Sequence, residues 1–163
     1  MQAFDPRTAV LALALGTLAA SLSAGPAWAQ ARVPVKVTVT VGGRTETFRG
    51  TGECGHEPRG SIYDVEAALW MAAYTEGNRH VALSYWRPLG GGGDQFSLFV
   101  QSGPTDHRIS TVKGAQPEGS GRSTFQPTSM GGRFEITGKD QTGSTLSAII
   151  ECARFGAISA EGG

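Results

Sequence analysis

The chain has 163 residues in which 14 Lys and Arg balance 14 Asp and Glu, so it carries no formal net charge. Without a basic excess there is nothing to neutralise a phosphate backbone, which argues against nucleic-acid binding. Two cysteines are too few for a disulfide-dense scaffold or a four-cysteine zinc site, and the 24 glycines follow no collagen period.

Residues 1–29 read as a secretory signal peptide. Arg7 precedes an apolar run from Ala9 to Leu22, and Ala27-Trp28-Ala29 supplies the small-x-small cleavage pattern, with Gln30 as the new N-terminus. The run is too short to span a membrane, and no later window is long and apolar enough to do so, so the mature chain is expected to have no transmembrane segment. The signal removes one acid, Asp5, and one base, Arg7, and leaves the mature chain neutral. Residues 30–156 are the length of one domain and 157–163 read as a flexible tail. The compartment expected is the periplasm or the exterior of the cell.

The mature chain reads as short strands punctuated by glycine. Val33, Val35, Val37, Val39 and Val41 alternate with polar residues, and Gly42-Gly43 then turns the chain into a return strand from Arg44 to Cys54. With Val41 opposite Arg44, Val37 faces Phe48, and Cys54 shares their core face. Ala67–Thr75 and His80–Arg87 flank Glu76-Gly77-Asn78 as a second hairpin. The run Ala67–Ala73 also fits a short helix by propensity, and the neighbouring hairpins favour a strand. Gln95–Gln101 follows the loop Gly90–Gly93, and His107–Val112 and Arg122–Gln126 flank a second glycine-rich loop, Gly114–Gly121. The last hairpin joins Phe134–Thr137 to Thr145–Cys152. Pairing Gly138 with Ser144 puts Ile136 opposite Leu146 and Phe134 opposite Ala148, all on one face. These elements predict an all-β fold, an antiparallel β-sandwich of about seven to nine short strands.

Cys54 and Cys152 both fall on inferred core faces of an exported chain, which points to one disulfide between them. A bridge closing a loop of about 100 residues contributes roughly 4.7 kcal/mol in the chain-entropy account. The competing reading uses Cys54 and His56 as metal ligands, but no third and fourth ligand stand at a recognisable spacing.

Catalytic signatures are missing. There is no G-x-S-x-G elbow, HExxH motif or P-loop, and although Ser102, Asp106 and His107 are near in sequence, adjacent residues on a strand point to opposite faces, so they read as a polar hairpin end and not as a triad. No cofactor is implied. One constellation stands out. With Tyr74 opposite His80, Leu69, Met71 and Ala73 share a core face with Val81, Leu83 and Tyr85. The other face then carries Trp70, Tyr74, His80 and Trp86, with Arg87 adjacent. A solvent face that is aromatic suits stacking on a carbohydrate or docking on a protein surface, unless the hairpin is covered on both sides.

The segments Cys54-Gly55-His56-Glu57-Pro58, Tyr85-Trp86-Arg87-Pro88, Asp94–Leu98 and Gly132–Gly138 resemble a group of uncharacterised exported proteins of Gram-negative bacteria. Phe134-x-Ile136-x-Gly138 with a last strand ending in Cys152 is also loosely similar to the mycobacterial secreted lipoprotein antigens, whose lipidated N-terminal cysteine this chain lacks. The resemblance implies a disulfide-linked β-sandwich in the envelope and no catalytic residues. The expected role is therefore a non-enzymatic binding or envelope-associated module using Trp70, Tyr74, His80, Trp86 and Arg87. The alternatives are a structural protein that pairs through an exposed edge strand Val33–Val41 and an unrecognised periplasmic hydrolase.

Overall fold

The computed structural model describes residues 32–113 and 118–158. The signal peptide read over residues 1–29 and the end of the tail, residues 159–163, lie outside the described residues. The strands are β1 (Arg32–Val41), β2 (Arg44–Ile62), β3 (Val65–Glu76), β4 (Arg79–Pro88), β5 (Gln95–Ser102), β6 (Thr105–Ser110), β7 (Ser120–Pro127), β8 (Gly132–Lys139), β9 (Thr145–Cys152) and the short β10 (Gly156–Ala157). The run Ala67–Ala73 is strand, not helix.

One continuous sheet in the order β6-β5-β4-β3-β2-β1-β9-β8-β7 curls into a nearly closed barrel, with β10 added in parallel to β2. Every neighbouring pair along that path is antiparallel. Nine strands are an odd number, so alternation cannot be carried all the way round. The two end strands, β6 and β7, therefore run in the same direction, and a single antiparallel bridge between Ser110 and Glu118 spans the seam between them.

The inward face is packed with alternate residues of each strand. Val33, Val35, Val37 and Val39 of β1 meet Leu83 and Tyr85 of β4, Phe96 and Leu98 of β5, and Phe134, Ile136, Leu146 and Ile150 of β8 and β9, all buried. The outward face of β1, β8 and β9 is charged instead. Lys36 pairs with Glu151 at 2.6 Å, and Arg133 with Glu135 at 2.8 Å. A barrel that spans a membrane places its apolar band outward, the reverse of these strands. Among the described residues no helix is long and apolar enough to cross a membrane.

The first hairpin has the expected register, with Val41 opposite Arg44 and Val37 opposite Phe48. The disulfide also forms as expected, joining Cys54 of β2 to Cys152 of β9 across the start of β1, with both cysteines buried. A disulfide-bonded all-β fold fits a compartment outside the cytoplasm. With both thiols in the bridge, Cys54 is not a metal ligand beside His56.

Four expectations need correction. Strand β1 is no edge, because β2 and β9 pair with it on both sides. The β8–β9 hairpin is shifted by two residues, with Ile136 opposite Ala148 and Phe134 opposite Ile150. An even shift keeps the same side chains inward, so the core assignment survives it. Its cause is Asp140, whose backbone N–H donates to the Ser144 carbonyl and closes the turn two residues later than Gly138 would. Strand β2 runs on past Cys54 to Ile62 through an irregularity between Glu57 and Gly60. Lastly, Ala157 pairs with His56 and Ile158 is buried, so these two residues belong to the domain and not to the tail expected from 157.

Candidate functional site

The five side chains expected on one aromatic face do not share it. In the β3–β4 hairpin Thr75, not Tyr74, lies opposite His80, and the turn is two residues long, with Gly77 at φ +57°. A one-residue slip inverts a strand's faces. Trp70 and Tyr74 therefore point inward with Ala68 and Ala72, and Leu69 and Met71 share the outer face with His80 and Trp86. Tyr74 stacks on Phe48 and donates its hydroxyl to Glu76 at 3.0 Å. His80 is half-buried against Phe99, and its Nδ1 lies 2.7 Å from the Thr75 hydroxyl. Arg87 is on the inner face at the barrel's end, close to Trp70 but remote from the role imagined beside Trp86.

Two clusters form at the two ends of the barrel. At the end where β2 meets β3 and β7 meets β8, Trp70 is stacked on His56 with ring centroids 4.5 Å apart and is flanked by Phe125 at 4.9 Å. The Arg87 guanidinium lies 5.7 Å over Trp70 and is clamped by Asp94, which accepts from Nε at 3.0 Å and Nη2 at 2.9 Å. The buried Tyr85 hydroxyl donates to the same carboxylate. These bonds, chiefly those from Arg87, hold Asp94 below the usual carboxylate range, while burial, reinforced by Asp94, pushes Tyr85 up. Arg87 is thus engaged by the protein itself, locking the glycine-rich loop that ends at Asp94. A shallow cleft of about 420 Å³ opens beside Trp70 between His56, Phe125, Met130 and Phe155. Burial lowers the His56 pKa against the opposing pull of Glu57, and its Nε2 is buried without a partner.

The opposite end carries the turns at Gly42-Gly43 and Gly77-Asn78 and the Asp140–Ser144 loop. Here a cleft of about 460 Å³ enters the barrel between opposed walls, β1 and β2 on one side and β5 and β6 on the other. Val39, Val41, Phe48 and Val100 make an apolar floor, and Arg44, Glu46, Ser102, Thr105 and His107 make a polar rim. Ser102 donates to Glu46 at 3.2 Å, and Glu46 lies 3.7 Å from Arg79. His107 Nδ1 is 2.6 Å from Oδ2 of Asp140, whose side chain is fully buried. Oδ1 of Asp140 accepts from the Thr142 N–H at 2.8 Å, the Thr142 hydroxyl at 2.7 Å and the Ser144 N–H at 2.9 Å. Burial alone would raise the Asp140 pKa, and the bonds from His107, Thr142 and Ser144 outweigh it and bring it to about 2. An ionised carboxylate only accepts, so His107 carries its proton on Nδ1 and Nε2 is left for the cleft.

Sequence reasoning missed the Asp140 partnership. His107 and Asp140 are 33 residues apart and meet only because the β8–β9 loop docks on β6, where Gln141 accepts from the Arg108 N–H and donates to the Asp106 carbonyl. Asp106 instead faces Arg108 at 2.9 Å, so Ser102, Asp106 and His107 form no triad. The one available signal was Asp140 itself, an Asp at the start of a turn rich in Thr, Gly and Ser.

No protein-family model matches the chain, nor does any curated protein or any solved structure.

Proposed function

We propose that the protein is a non-enzymatic binding module of the periplasm or the cell exterior, which takes a small and largely apolar ligand end-on at the mouth of its barrel. One observation carries this reading: the 460 Å³ cleft, with its floor of Val39, Val41, Phe48 and Val100 beneath a rim of hydrogen-bonding side chains. Ligand sites are commonly apolar concavities of about 300–1,000 Å³ with a few placed polar groups, and the mouths of β-barrels are among their usual positions. The aromatic end supports the reading less well, because Trp70 is already covered by His56, Phe125 and Arg87.

A hydrolase is the second reading, favoured by the His107–Asp140 pair, since a carboxylate-oriented imidazole is the base of many acyl-transfer sites. Titration with 1-octanol followed by amide chemical shifts tests both. Binding with shifts at Val39, Phe48 and Val100 supports the mouth. No binding, or shifts confined to His56 and Phe155, overturns it. Turnover of p-nitrophenyl octanoate that disappears in His107→Gln replaces it with the hydrolase.

A further inference from the structure

The rim of the mouth is not electrically symmetric. Glu46 is occupied, accepting from Ser102 and lying beside Arg79. Arg79 also lies 4.0 Å from Glu76 and 5.1 Å over the Phe48 ring. Asp140 sits behind His107, fully buried, with every one of its bonds directed to its own loop or to Nδ1. Arg44 is different. It follows the two-residue turn at the cleft's edge and makes no ion pair among the described residues. The groups left for a ligand are thus one guanidinium without an ion pair, the His107 Nε2 as an acceptor and the Thr105 hydroxyl, above a floor of valines and a phenylalanine.

We infer that the mouth selects an amphipathic monocarboxylate, its apolar tail on Val39, Phe48 and Val100 and its carboxylate at Arg44, with the Thr105 hydroxyl as a second donor. This rests on the reading of the mouth as the ligand site. A guanidinium fork matches the two oxygens of a carboxylate, and Arg44 is the one cation of the rim without a carboxylate partner among the described residues. A doubly charged phosphate monoester would leave its second charge facing Glu46. The Asp140 carboxylate holds the His107 proton on Nδ1, which leaves Nε2 an acceptor, so the donors to the head group are Arg44 and the Thr105 hydroxyl.

The experiment compares octanoate, 1-octanol and octyl phosphate by calorimetry at neutral pH on the disulfide-bonded protein. Octanoate is expected to bind about tenfold more tightly than 1-octanol, and octyl phosphate no more tightly than octanoate. Arg44→Gln should erase the advantage of octanoate over 1-octanol, and Arg44→Lys should restore part of it. Arg44 is exposed at a turn, so both variants keep the fold. Equal binding of octanoate and 1-octanol to the unaltered protein overturns the inference and leaves the mouth as an apolar site. An octanoate preference that survives Arg44→Gln, or a clear preference for octyl phosphate, overturns it too. Binding of none of the three overturns the reading of the mouth itself.

Discussion

Trp70 is the residue on which the two possible faces of the β3–β4 hairpin differ most. In the observed register it is 7% exposed and wedged among His56, Tyr85 and Phe125, under the guanidinium of Arg87. Cutting a buried Trp to Ala costs about 3–5 kcal/mol. Trp70 also loses its ring and cation contacts, worth about 0.5–1.5 kcal/mol apiece and partly contained in that range, so its cost belongs near the top, about 5 kcal/mol. Trp86 lies on the outer face and is only half-buried, so Trp86→Ala forfeits a fraction of its area, about 1–2 kcal/mol. Trp70→Phe keeps a ring against His56 but leaves a cavity where the second ring was, and should cost less than Trp70→Ala. Urea unfolding of the disulfide-bonded protein measures all three, with m-values compared to show that the unfolded reference is unchanged. Trp86→Ala costing more than Trp70→Ala would refute the register and return Trp70 to the surface.

The disulfide predicts that thiol titration under denaturing, non-reducing conditions finds no free cysteine, and that Cys152→Ala lowers stability by about 2–5 kcal/mol. Asp140 predicts an acid limb. Its pKa is about 2 when folded against an ordinary 3.8, so the stability it adds is present above about pH 4 and is lost as pH falls toward 2. Urea midpoints should fall through that window, and Asp140→Asn should remove the part of the fall that belongs to this group. Mass spectrometry of the exported protein should place its first residue at Gln30, and an intact Met1 would refute the signal peptide.

The parts of the fold that could be read from the residues are those where polarity alternates and a turn leaves no choice. Val33 to Val41 alternates strictly and ends at Gly42-Gly43, so register, facing and the inward position of Cys54 followed together. The β3–β4 hairpin offered neither constraint. Ala67-Ala68-Leu69-Trp70-Met71-Ala72-Ala73 is apolar on both faces, so only the turn could set the register, and Glu76-Gly77-Asn78 permits a loop of more than one length. The pattern of bulk was the overlooked guide, since Ala68 and Ala72 alternate with Trp70 and Tyr74 on the wall of a closed interior, where large rings need small neighbours. The second half of β2 was hidden because Gly55, Pro58 and Gly60 interrupt any period. The mouth was out of reach for another reason: Phe48, Val100 and His107 become one site only when the sheet curls, and hairpin-by-hairpin pairing contains no statement about which strands end up facing each other across the interior.

The odd strand count makes the barrel behave like a bracelet with a clasp. Cys54–Cys152 rivets the band beside β1, whereas β6 and β7 are held together by the Ser110–Glu118 bridge and by the Asp140–Ser144 loop leaning on β6. Parting the clasp breaks fewer backbone hydrogen bonds than separating any two neighbours along the path from β6 to β7, so opening the band is cheapest there. The same loop holds His107 through Asp140, and β6 carries one wall of the mouth. The wall that shapes the ligand cleft is therefore also the movable end of the band, while the opposite wall, β1 and β2, stays anchored by the rivet.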